Sequence, residues 1–215
     1  IIGVVTKTGV GLKMGTALID LAGGLLLPAM FFTMITSLLL GMGVPTTANY
    51  VITSTIAAPA LVQLGVPVLA AHMFAFYFGI IADVTPPVAL AAYAGAGISG
   101  GNPMKTGVVA AKLSIAAFII PYVFVYNPQL LLINTTFAGM AFATLTAIVG
   151  MVGISVSMIG YGIRPTNKVQ RILFLVSGLL LIDPGLMTDA AGAILLVALF
   201  GWQKMQNKND AAKQA

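Results

Sequence analysis

Two short segments interrupt long apolar runs in this chain: Gly41-Met42-Gly43-Val44-Pro45-Thr46-Thr47 and Asp83-Val84-Thr85-Pro86-Pro87. Both hold the parts of a site for a monovalent hard cation. A helix that stops near Gly41 leaves its last carbonyl oxygens without intrahelical partners, and the negative end of its dipole lies there. Gly41 and Gly43 allow the backbone turns that aim those oxygens. Pro45 reads as the start of a second helix, where its missing N–H costs nothing. Thr46 and Thr47 can cap that helix or add hydroxyl oxygens. Its free N–H groups favour an anion, such as a carboxylate on a substrate. In the second segment Pro86 and Pro87 donate no backbone hydrogen bonds, so upstream carbonyls are expected to stay unpaired. Asp83 adds a carboxylate and Thr85 a hydroxyl. About five or six oxygens with one carboxylate suit a monovalent ion, whereas calcium collects more carboxylates.

A single such break reads as a proline kink satisfied by neighbouring helices. Two breaks, each with Thr beside Pro and one with an acid, read as a site. Irregular backbone at membrane depth must face protein or a polar cavity, and paired discontinuous helices build the binding sites of secondary transporters.

The elements that must position these residues are membrane helices. The chain has 215 residues, 59% hydrophobic and 7% charged, with a mean hydropathy of +1.04. A soluble domain is about one quarter charged. A spanning helix needs roughly 20 apolar residues, so this length allows about six to eight spans or half-spans. The sequence opens on Ile1 within an apolar run, with no basic leader, so it is expected to begin inside a longer protein. The net charge of +5 fits basic cytoplasmic loops and not nucleic-acid binding. Cysteine is absent, which excludes disulfides and thiolate metal sites. The acids are Asp20, Asp83, Asp183, Asp189 and Asp210.

Residues 1–12 read as the end of a truncated helix and 13–24 as an interfacial connector. Residues 25–40 and 48–63 are two arms too short for full spans, which predicts a re-entrant hairpin over 25–63 with its tip inside the membrane. Residues 68–98 make one span with an unwound centre at 83–87. A loop follows over 99–107, then a span over 108–126, an uncharged loop over 127–136 and a span over 137–160. Residues 161–171 form a basic loop. Residues 172–202 go in and return, with Asp183-Pro184-Gly185 as the turn, and the polar tail from Gln203 frays. Lys105, Lys112, Arg164, Lys168 and Arg171 put the loops at 99–107 and 161–171 in the cytoplasm, and Lys7 and Lys13 then fall near the outer face. The fold class is an all-α integral membrane bundle with a re-entrant helical hairpin and an unwound, discontinuous transmembrane helix.

The runs LLLGMGVPTTANYVITSTIAAPALVQLGVP, AAHMFAFYFGIIADVTPPVALAAYAGAGISGGNPMKTG and IIPYVFVYNPQLLL resemble the large permease subunit of tripartite ATP-independent periplasmic (TRAP) transporters. The likeness is nearest to the branch that fuses the small and large membrane subunits, and it covers roughly residues 1–132. It implies an elevator-type, sodium-driven importer of small organic acids such as dicarboxylates, in the bacterial inner membrane. It implies no cofactor beyond the coupling ion, and substrate delivery by a periplasmic binding protein. Residues 1–132 would be the second half of the transport core. Its first hairpin and the small membrane subunit would lie on the missing N-terminal part, so this segment alone is not expected to transport. By that likeness Gly41, Gly43, Val44, Thr46, Thr47, Asp83, Thr85 and Pro86 share a sodium ion. Pro45, Thr46, Thr47, Asn49, Pro86 and Pro87 border the substrate. Residues 133–215 resemble the accessory C-terminal helices of the fused branch.

His72 precedes Asp83 by about three helical turns, so both could share a face. A proton relay is one reading, and a hydrogen-bonded structural histidine near the interface is the other. Asp183 and Asp189 flank one turn, which does not suit an intramembrane aspartyl protease, and Asp189, alone or with Thr188, reads as a helix N-cap. Lys112 can snorkel from its span. The Phe and Met residues of 30–34 and 73–78 read as packing. With no phosphate loop, HExxH or nucleophile–base pair, the chain is not expected to be an enzyme. The rival readings are a proton-coupled carrier of another family and a non-transporting membrane scaffold subunit.

Overall fold

The computed structural model describes residues 7–183 and 185–214. The truncated helix expected over 1–12 therefore lies partly outside the described residues. Among these there is no β-strand, only an isolated bridge between Tyr161 and Pro165. The chain divides into two compact units, Ile1–Leu131 and Leu132–Ala215.

In the first unit, α1 spans Val10–Leu21, so the expected connector over 13–24 is a regular helix closed by Gly23 and Gly24 at positive φ. The first hairpin arm is α2, Leu26–Gly41. The second arm is divided into α3, Thr46–Ile56, and α4, Ala58–Gln63. Pro59 sits in the first turn of α4, where it cannot donate back to the preceding turn, and the helix breaks at Ala57. The broken span begins as α5, Val68–Ile81, tightens into a 3-10 turn over Ala82–Val84, and resumes as α6, Leu90–Ser99.

The loop expected over 99–107 is much shorter. Asn102 caps the next helix by accepting from the Lys105 N–H at 3.0 Å, and Pro103 occupies its first turn. That helix is α7, Pro103–Leu113, followed after Ser114 by α8, Ile115–Tyr126. Met30, Leu61, Phe74 and Phe78 are fully buried in the core of this unit. Phe74 and Phe78 pack edge-on at 4.8 Å between ring centroids, and Tyr122 meets them at 5.2 and 5.8 Å. Of the Phe and Met residues expected to pack, Met30, Phe74 and Phe78 lie in this core and Phe31 is exposed.

In the second unit, α9 spans Phe137–Ile159, α10 Lys168–Leu180 and α11 Leu186–Gln214. The basic loop is confined to 160–167, because Asn167 and Gln170 form a reciprocal capping box that starts α10 early. Helices α10 and α11 pair across the turn at 181–185, where residue 184 lies outside the described residues. The tail expected to fray is helical to Gln214. Gln203 is fully buried, and its Oε1 accepts from the Ile163 N–H at 3.0 Å. Asp189 lies inside the first turn of α11 and is not its cap. Small residues let these helices approach closely: a Cβ on Gly150 would meet the Gly178 carbonyl oxygen at 2.7 Å, and one on Gly192 the Ser177 oxygen at 2.9 Å.

Among the described residues, three helices are long and apolar enough to cross a bilayer: Pro103–Tyr126, Phe137–Ile159 and Leu186–Asn207. Leu26–Gly41, Val68–Val84 and Leu90–Ser99 are apolar but shorter. The hairpin arm and both halves of the broken span belong to this shorter set.

Candidate functional site

The two breaks meet because two glycines do. Gly41 is the last residue of α2 and is buried. A Cβ on it would fall 2.8 Å from Gly79 Cα and 2.9 Å from Gly79 C. Gly79 lies in α5, in the turn just before the 3-10 segment Ala82–Val84. No side chain fits between these backbones, so the hairpin tip is held against the start of the Asp83-Val84-Thr85-Pro86-Pro87 break. The 3-10 turn also touches α2 directly.

At the tip, Met42 is extended and Gly43 has φ +69 with nothing within 4 Å of a Cβ placed there. The positive φ alone makes glycine the fitting residue. The Gly41 carbonyl accepts a long 3.4 Å bond from the Val44 N–H. Pro45 stands one position earlier than the sequence suggests. Its φ of −55 and ψ of 143 make it the N-cap, and Thr46 is the first helical residue. Neither Thr46 nor Thr47 caps α3, whose N-terminus has no side-chain cap. Pro45, Thr46, Thr47 and Gly43 are exposed, and Val44 is half-buried.

At the facing break, Asp83, Thr85 and Pro86 are half-buried and Pro87 is exposed. The Thr85 hydroxyl donates to the Ile81 carbonyl at 2.9 Å. A side chain thus fills the carbonyl just upstream of Ala82 and Asp83, the two whose i+4 donors Pro86 and Pro87 lack, while the lone pairs of Thr85 Oγ1 stay available. The far side of the break is braced from two directions. Tyr93 Oη donates to the Pro87 carbonyl at 3.0 Å, and a Cβ on Gly107 would meet Pro86 Cγ at 3.3 Å and Tyr93 Cε1 at 3.2 Å.

Asn49 is placed differently from its neighbours. It is 1% exposed, with its carboxamide over Gly79, where a Cβ would meet Asn49 Cγ at 2.9 Å. His72 pairs with Tyr50, Oη to Nδ1 at 3.1 Å, and not with Asp83. Sequence reasoning missed Gly79 and the fully buried hydroxyls of Thr33 and Ser37. Their signal was available: Thr33, Ser37 and Gly41 recur every fourth residue, as do Ala71, Ala75 and Gly79.

The facing break carries a single carboxylate, Asp83, and the hydroxyl of Thr85, and the C-terminus of α2 packs beside it through Gly41 and Gly79. Among the described residues no group of three or more His, Cys, Asp or Glu could hold a metal ion, so a multi-carboxylate or imidazole site is not what this geometry offers.

Apolar helices, three of them among the described residues long enough to cross a bilayer, define a polytopic helical membrane protein. Residues 1–140 match the family described as the tripartite ATP-independent periplasmic transporter, DctM component. The match covers more than half of the chain, which therefore belongs to this transporter family and is an integral membrane permease component. Residues 108–204 are also similar to the family described as FxsA cytoplasmic membrane protein. No curated protein and no solved structure matches the chain.

Proposed function

We propose that this chain is the second half of the transport core of a sodium-coupled TRAP permease that imports a small organic acid across the bacterial inner membrane. In this reading a periplasmic binding protein delivers the substrate, and the first half of the core and the small membrane subunit complete the permease. The observation that carries it is the backbone contact between Gly41 and Gly79, which supports a shared site between hairpin tip and broken span. Sodium would be held by Asp83, the Thr85 hydroxyl and carbonyls near Gly41, with Thr46 and Thr47 supplying hydroxyls. The N-terminus of α3 would face the substrate carboxylate. The pairing of His72 with Tyr50 favours sodium over a proton relay through His72 and Asp83.

The test is the thermal stability of the purified full-length permease in sodium and in potassium at equal ionic strength. An ion that binds only the folded state, at about 100 times its Kd, adds roughly 2.7 kcal/mol. A sodium-specific rise in Tm, lost in Asp83→Ala and in Thr46→Val, is the expected result. Equal melting in both ions would remove the sodium site.

A further inference from the structure

We propose that Thr33, Ser37 and Asn49 hold bound water in a polar seam between the hairpin and the first half of the broken span. This site lies behind the tip and does not depend on the sodium reading. Thr33 and Ser37 are fully buried on the face of α2 that ends at Gly41, and Asn49 is buried on α3. Thr33 Oγ1, Ser37 Oγ and both polar atoms of the Asn49 carboxamide have no hydrogen-bond partner among the described residues.

The behaviour of neighbouring hydroxyls makes this pointed. A Ser or Thr inside a membrane helix satisfies itself by donating to a carbonyl one turn back. Thr53 does so to Asn49 O at 3.0 Å, Thr55 to Val51 O at 2.8 Å and Thr85 to Ile81 O at 2.9 Å. Thr33 and Ser37 do not. They precede Gly41 at four-residue spacing on α2, Gly41 touches Gly79 of α5, and Ala71, Ala75 and Gly79 are all buried on α5. An unpaired polar group costs more in hydrocarbon than anywhere else in a protein, and buried polar groups without protein partners are ordinarily satisfied by ordered water.

The chemistry decides between water and a bare cation. The hydroxyls and Asn49 Oδ1 can serve either ligand. Asn49 Nδ2 is a donor and needs an acceptor, which a cation cannot supply and water can. No carboxylate belongs to this group, so nothing in it compensates a buried positive charge.

The test uses Thr33→Val and Ser37→Ala, singly and together, in the intact permease reconstituted in nanodiscs. A dry, unpaired hydroxyl is relieved by its apolar replacement, so Tm would rise or stay level. A hydroxyl that anchors water leaves that water short of a partner, so each variant should lower Tm by about 2–4 °C. Water shared between the sites makes the double variant fall by less than the sum. A level or raised Tm in either single variant, or strictly additive losses, would overturn the proposal. So would a structure of the intact permease, at a resolution that shows waters elsewhere, with no density between Ser37 and Asn49.

Discussion

Gly41 and Gly79 touch backbone to backbone: a Cβ on Gly41 would lie 2.8 Å from Gly79 Cα. Gly43, two residues on, is glycine for a different reason, since it has open space around it but φ +69. The two positions should therefore fail differently. Gly41→Ala overpacks a backbone contact, costing about 1–3 kcal/mol. Gly43→Ala strains a left-handed residue, costing about 1–2 kcal/mol. Asparagine separates the causes, because it tolerates the left-handed region but is large. Gly43→Asn should keep most of the wild-type Tm and Gly41→Asn should not. Equal losses would mean that the two glycines do not play these distinct parts.

Asp83 supplies the carboxylate at the facing break. Asp83→Asn keeps the shape and removes the charge, so membrane insertion should survive while the sodium-dependent rise in Tm disappears. Uptake by the reconstituted permease should fall to background with it. Wild-type uptake in Asp83→Asn would sink the assignment of this residue.

Thr85 has two separable parts, a donated proton and a free oxygen. Thr85→Val strips the Ile81 carbonyl of its partner and removes the oxygen. It should cost about 1 kcal/mol of stability in any salt and also weaken the sodium response. Thr85→Ser retains the hydroxyl and should preserve both. Sodium titrations of Tm on the two variants check this. A Thr85→Val protein with an undiminished sodium shift would leave Thr85 as a structural hydroxyl alone.

The breaks themselves were legible in the sequence because Gly, Pro and Asp stand out against an apolar background. Gly41-Met42-Gly43-Val44-Pro45 and Asp83-Val84-Thr85-Pro86-Pro87 mark where helices stop, and they do stop there. Helix starts were less legible. Lys105 and Arg171 suggested loops by their charge, yet Asn102-Pro103 and the Asn167–Gln170 capping box begin helices ahead of them. Local capping chemistry outweighs charge there. The polar composition of the tail also misled, because Gln203 is buried by its bond to the Ile163 N–H. Gly79 stayed hidden for another reason. The four-residue recurrence of Ala71, Ala75 and Gly79 marks a small-residue face, but which helix crosses that face is a long-range contact that no local pattern specifies.

Arg171 offers a test confined to the second unit. Gly160, at φ +83, ends α9, and Arg171 reaches the carbonyls just before it. Its Nε donates to Ser157 O at 2.6 Å and its Nη2 to Met158 O at 2.9 Å. These carbonyls lie at the negative end of a helix dipole, so the guanidinium both fills their hydrogen bonds and opposes their charge. Arg171→Ala removes both bonds and should cost about 1.5–3 kcal/mol. Arg171→Lys keeps the charge but loses the planar fork, so it should recover only part of that loss. The sodium-dependent increment of Tm should be the same in Arg171→Ala as in wild type, because every residue of the proposed cation site belongs to the first unit. A lost increment in Arg171→Ala would mean that the second unit takes part in ion binding, and the site would have to be redrawn to include it.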